Sequence, residues 1–160
     1  MDFYSAYAHG FARVAACTLP VAIADPAANA RAVLAQAKEC DDNAVAVAVF
    51  PELCLTGYAI DDLLLQDTLL EAAHDALHEV VRGTADLLPV LVVGLPLVHG
   101  TRVLNCAAVV HKGRLLGISG AAHRTSLCAS RAHSTHLAAL PSLGDGPTAP
   151  SLRRLAMHAL

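Results

Sequence analysis

The run Ala44-Val-Ala-Val-Ala-Val-Phe50 constrains the fold of this chain more than any other stretch. It is apolar throughout, has strand length, and carries valine at every second position, a composition that fits a pleated surface. A strand apolar on both faces is expected to be covered on both sides, as in sheets whose parallel strands are joined by helices. Pro51 removes a backbone donor and ends the ladder. Glu52 follows at once as the first ionisable group after the run. A carboxylate at the end of a buried strand has restricted access to water, a setting that strengthens it as a general base. The competing reading is a solvated residue just past a strand. Thr56-Gly57-Tyr58 then turns the chain away.

The flanks fit this strand into a β-α-β unit. Phe11 to Leu19 reads as a first strand. Asp25 is a suitable N-cap, and Pro26 a suitable first residue for a helix reaching about Cys40. Ala30, Val33, Leu34 and Ala37 recur at helical spacing and form its buried face. After Tyr58, Asp61 or Asp62 caps a short helical turn through Leu65. A longer helix from Asp67 to Arg82 buries Leu69, Leu70, Ala73, Leu77, Val80 and Val81, with Gly83 just past its end. Leu87 to Gly94 reads as a third buried strand, and Gly94-Leu-Pro96 as its exit. Arg102 to His111 and Arg114 to Ile118 read as antiparallel strands joined at Lys112-Gly113.

The 160 residues suit one domain, and the net charge of −3 points to neither nucleic acid nor an anionic membrane as partner. No apolar run approaches the roughly 20 residues of a membrane span, and Met1-Asp-Phe-Tyr-Ser lacks the features of a signal peptide. Five cysteines without a C-x-x-C pair read as reduced thiols, which places the chain in the cytoplasm. A break falls near Ser119. Before it acidic residues predominate, after it arginine does, and no Val or Ile follows Ile118. Periodicity ends there too. The expected organisation is therefore residues 1–118 as folded domain and 119–160 as a low-complexity, disordered tail. A change of reading frame at this point explains the composition of that tail.

Other constellations carry less. His74-Asp-Ala-Leu-His78 imitates the H-E-x-x-H metalloprotease helix. Asp75 is shorter than the required glutamate, no third ligand follows at a recognisable spacing, and both histidines fall on the polar face, so no metal site is expected. His123, His133, His136 and His158 lie in the tail and read as incidental. Cys54, two residues after Glu52, reads as a small packing residue rather than a nucleophile.

Phe50-Pro-Glu-Leu-Cys-Leu-Thr-Gly-Tyr58, after its valine-rich strand, resembles the glutamate motif of the nitrilase (C–N hydrolase) superfamily. The segments Met1–Val14, Asp61–Asp67, Ala85–Gly94 and Leu104–His111 resemble, more narrowly, the glutaminase domain of bacterial glutamine-dependent NAD⁺ synthetases. This likeness runs from Met1 to about Ile118. It implies an α/β fold, a truncated part of an α-β-β-α sandwich. It also implies a Glu-Lys-Cys triad in which the glutamate activates a cysteine thiol against the side-chain amide of glutamine and the lysine stabilises the oxyanion. Glu52 takes the place of the general base, and Tyr58 that of a substrate-binding residue. No cofactor or metal is implied for the amidase part, since ATP and Mg²⁺ belong to the synthetase domain of such enzymes. Glutamine is the family substrate, and full-length relatives are homo-oligomeric.

The departures are as informative. The family's lysine should follow the Leu115-Leu-Gly-Ile strand, where Gly120-Ala121-Ala122 stands, and no lysine follows Lys112. The family's cysteine lies on a later strand before an acidic pair, and Cys40-Asp-Asp cannot take its role because it precedes Glu52. The expectation is a glutaminase-domain fragment that is inactive alone and self-associates or aggregates through an uncovered sheet face. The alternatives are a fragment of another nitrilase-type amidase or carbamoylase, and a non-enzymatic truncated product or interaction module.

Overall fold

The computed structural model describes residues 6–100 and 102–120. Five strands form one sheet in sequential order: β1 (Val14–Ala16), β2 (Val47–Val49), β3 (Val90–His99), β4 (Arg102–His111) and β5 (Arg114–Gly120). β1, β2 and β3 run parallel, whereas β4 and β5 are antiparallel to their neighbours. Helix α1 (Pro26–Asp42) links β1 to β2, and α2 (Asp67–Gly83) lies between β2 and β3. Short 3₁₀ turns occupy Ala6–His9 and Asp61–Leu65.

Helix α1 starts where the sequence places it. The Asp25 carboxylate accepts from the Ala28 N–H at 3.0 Å, and Pro26 occupies the first turn, where a missing donor costs nothing. Helix α2 buries Leu69, Leu70, Ala73, Ala76, Leu77, Val80 and Val81 along one stripe. Both helices cover one face of the sheet. Ala48, Leu91, Val93, Leu95, Cys106, Ala108 and Val110 point into that core with Ala30, Val33, Ala37, Leu77 and Val80.

The opposite face is not covered among the described residues, and here the structure departs from the expectation that the Ala44–Phe50 strand is covered on both sides. Val47 and Val49 alternate with the buried Ala48, so they share a face with Val14, Val90 and Val92. Val14 is 70% exposed and Val49 46% exposed. The β2 region therefore has a helix layer on one side only. Its valine alternation marks a second apolar face, not a second covered one.

Several boundaries also shift. β1 and β2 pair over three residues each, shorter than the apolar runs that contain them. β3 does not end at Gly94 but continues through Pro96 to His99, because β4 pairs with it along this whole length. Gly83 is the last residue of α2 rather than the residue beyond it, and Thr84 is the cap. A side chain at Gly83 would press on Leu34 of α1, so this glycine serves helix–helix contact. Neither Asp61 nor Asp62 caps the short turn; Ile60 stands at its N-cap without a side-chain bond. Residues 6–9 form a 3₁₀ turn where an extended arm is expected. β5 carries the sheet through Ser119 to Gly120, past the compositional break. The expectations for the tail otherwise lie outside the described residues. Among those residues no helix is long and apolar enough to cross a membrane.

Candidate active site

Glu52 sits just past the carboxyl end of β2, at the end of the parallel part of the sheet, where ligands of α/β proteins gather. The chain leaves β2 still in register. The Phe50 N–H donates to the Val92 carbonyl at 2.9 Å, and the Leu55 N–H to the Gly94 carbonyl at 3.2 Å. Between these two bonds Pro51 to Cys54 bulge over β3. A Cβ on Gly94 would stand 2.5 Å from the Pro51 carbonyl oxygen and 2.6 Å from the Leu53 nitrogen. Gly94 is thus the floor of the Glu52 turn, and a side chain there would occupy the turn's own backbone.

The turn is tightened from within. Leu53 adopts a left-handed φ of 51°, and its carbonyl accepts from the N–H groups of Thr56 at 3.0 Å and Gly57 at 2.8 Å. Gly57, at φ 86°, supplies the conformation that L side chains disfavour. Thr56 is fully buried, and its carbonyl accepts from the Ala24 N–H at 2.8 Å. Asn29 of α1 clamps the same segment. Its Nδ2 donates to the Ala22 carbonyl at 2.7 Å and to the Leu55 carbonyl at 3.0 Å, while its Oδ1 accepts from the Ala22 N–H at 2.8 Å. A buried amide with three hydrogen bonds, two to Ala22 and one to Leu55, fixes the turn to the start of α1.

The Asn105 Nδ2 of β4 donates to the Glu52 Oε1. Asn105 pairs with Pro96, on the face of the sheet that the helices leave open. The Glu52 carboxylate is exposed, not half-withdrawn from water as the sequence suggests, because nothing among the described residues covers that face. Tyr58 is exposed too, at 61%, and no described contact links it to Glu52. Cys54 behaves as a packing residue. It is buried, its thiol donates weakly to the Gly94 carbonyl at 3.5 Å, and burial pushes its pKa up to about 11.

The sequence singles out Glu52 as a candidate but not Asn105, Asn29 and Gly94, which hold its carboxylate and its turn. Asn29 carried a signal: it stands four residues before Val33, on the stripe that α1 buries. Asn105 carried none, since a single amide in an apolar strand does not announce its partner.

His74 and His78 pack edge to face with ring centroids 4.4 Å apart on α2. Burial, then the charges of His74 and Arg82, lowers the pKa of His78. Among the described residues no group of three His, Cys, Asp or Glu side chains could hold a metal ion. Open grooves lie along α2, one against the start of α1 and one against Leu97 and Val98, and neither includes Glu52.

The profile of the carbon–nitrogen hydrolase family matches residues 13–156. The chain belongs to that family. It is 60% identical over 118 residues to a glutamine-dependent NAD(+) synthetase of Mycobacterium tuberculosis, a match that covers 74% of this chain and 17% of the relative. A glutamine-dependent NAD(+) synthetase of Mycobacterium leprae is 55% identical over 119 residues, covering 74% of this chain and 18% of that one. The chain thus spans less than a fifth of the length of these relatives and corresponds to the N-terminal C–N hydrolase part of them. In three dimensions it resembles a glutamine-dependent NAD(+) synthetase from Cytophaga hutchinsonii, with a TM-score of 0.67 and 26% identity over 72% of this chain and 20% of that one. An amidase of the nitrilase superfamily from Nesterenkonia shares the fold, with a TM-score of 0.60 at 20% identity over 72% of this chain and 45% of its own. The partial nitrilase-like sandwich is therefore the fold of this chain.

Proposed function

We propose that this chain carries the general-base third of a glutamine-hydrolysing site and is not itself a glutaminase. The observation that carries the reading is the placement of Glu52: past the end of β2, over Gly94, with its carboxylate held by Asn105. The Asn105 bond fixes the position of the carboxylate, from which it can accept a proton from a thiol nucleophile brought within reach. The relatives that share this segment are named as glutamine-dependent enzymes, which favours the side-chain amide of glutamine as the family substrate. Tyr58, exposed beside the same turn, is the proposed substrate contact.

The thiol and the lysine are the missing parts. Cys54 is buried, which pushes its thiol pKa up to about 11, and no lysine follows Lys112 in these 160 residues. Loss of cooperating members of a triad removes most of its catalysis. The chain incubated with glutamine is therefore expected to release ammonia at the background rate, and Glu52→Gln to leave that rate unchanged. Robust release that disappears in Glu52→Gln would overturn the claim of inactivity. Release that survives Glu52→Gln but is lost in Cys54→Ala would overturn the role given to Glu52.

The open face of the sheet favours a second reading, an interaction module whose exposed valines meet another copy of the chain.

A further inference from the structure

Two thiols that take no part in the Glu52 site lie against each other. Cys17 directly follows β1, and its N–H donates to the Val49 carbonyl at 2.8 Å. Cys40 lies in the last turn of α1, where its carbonyl accepts from the Val45 N–H at 2.9 Å. Both backbones are therefore held, and the two sulfurs stand 3.7 Å apart. Cys17 is 8% exposed and Cys40 5% exposed. Sulfur atoms at 3.7 Å are in contact, and a disulfide would draw them in to about 2.05 Å.

We propose that Cys17 and Cys40 form a reversible disulfide that staples β1 to the C-terminal end of α1. The place gives the bond a consequence. β1 pairs over only three residues, at the edge of the sheet, with Val14 largely exposed, so it is the strand most weakly held. The staple would close the loop that contains α1 from Pro26 as far as Cys40. It would also tie down the residue bonded to Val49, three positions before Glu52.

The oxidant considered is hydrogen peroxide, small enough to reach a thiol with little exposed surface. The thiolate of one cysteine attacks a peroxide oxygen; the O–O bond breaks, hydroxide leaves, and a sulfenic acid forms. The second thiol attacks that sulfur, the S–O bond breaks, and the displaced hydroxide leaves as water with the thiol's proton. In sum two thiols lose two electrons and two protons, and one peroxide becomes two waters. Burial, followed by the hydrogen bond and charge of Cys40, pushes the Cys17 thiol up to about 11. Reaction at neutral pH is therefore slow, and its rate is expected to rise about tenfold per pH unit over the range in which thiolate is scarce.

The test is mass spectrometry of the full chain treated with limiting peroxide at pH 8, without denaturant. The expected product has lost two hydrogens, regains them with dithiothreitol, and yields on non-reducing trypsin digestion a linked pair of peptides. Fragmentation places the link between Cys17 and Cys40. Cys17→Ser and Cys40→Ser abolish that link, and Cys54→Ser and Cys128→Ser retain it. The wild-type digest decides the matter even if a variant fails to fold. Separate oxidation of Cys17 and Cys40 without a link would overturn the proposal. So would a link formed equally fast in concentrated urea, because the folded contact would then contribute nothing.

Discussion

At the scale of single residues, Gly94 and Cys54 make the sharpest claims. Because a Cβ at Gly94 meets backbone atoms of Pro51 and Leu53 rather than a flexible side chain, relief requires the Glu52 turn to move. Gly94→Ala is expected to cost roughly 1–3 kcal/mol, the range of overpacked interiors. Amide exchange at Leu55, whose N–H binds the Gly94 carbonyl, should quicken. Gly117→Ala meets open space and serves as the control. Urea midpoints and hydrogen exchange of the two variants check this, and equal effects would contradict it. Cys54 makes a claim about pH. Its pKa rises from 9.0 to about 11 on folding, so the unfolded chain ionises first as pH increases. The stabilising contribution of the neutral buried thiol is intact below pH 9 and is lost as pH climbs through about 11, amounting to about 3 kcal/mol. Urea midpoints measured at pH 8.5 and 10.5 under reducing conditions should fall in the wild type and fall less in Cys54→Ala. An equal fall in both would remove Cys54 as a cause.

At the scale of elements, the sequence is most legible where local chemistry decides. The start of α1 follows from Asp25-Pro26, and the α2 stripe from its three- and four-residue spacing. The β4–β5 hairpin follows from Lys112-Gly113, whose φ values of 46° and 71° make the turn. What was misread depends on neighbours distant in sequence. Gly94-Leu-Pro96 has the composition of an exit, yet β4 pairs through it in register from Leu91↔Val110 to His99↔Arg102. Pro96 is tolerated in β3 because β2 ends at Val49, leaving this part of the strand with no β2 neighbour. Gly83 reads as a terminator from its position alone, while Leu34 of α1 decides its role. The site divides the same way. Glu52 is visible because Pro51 ends an apolar run, whereas Asn105 reaches it across 53 positions of sequence.

For the whole molecule, the governing fact is a sheet with one face under α1 and α2 and the other open among the described residues. The open face is lined by Val14, Val47, Val49, Val90 and Val92, and it includes Asn105 beside the exposed Glu52. Contiguous apolar surface beyond a few hundred Å² is rare on monomers, and it drives association when water is its only cover. The segment shared with the relatives is less than a fifth of their length. The chain alone is therefore expected to elute from size-exclusion chromatography above its monomer mass of 16.6 kDa, as judged by light scattering. Charges introduced on the open face, as in Val49→Lys with Val92→Glu, should shift the population toward monomer at little cost to the buried core. The paired substitution keeps net charge constant, which separates loss of apolar contact from simple charge repulsion. A sharp monomer peak for the wild type with a cooperative thermal melt would show that the valine face needs no partner.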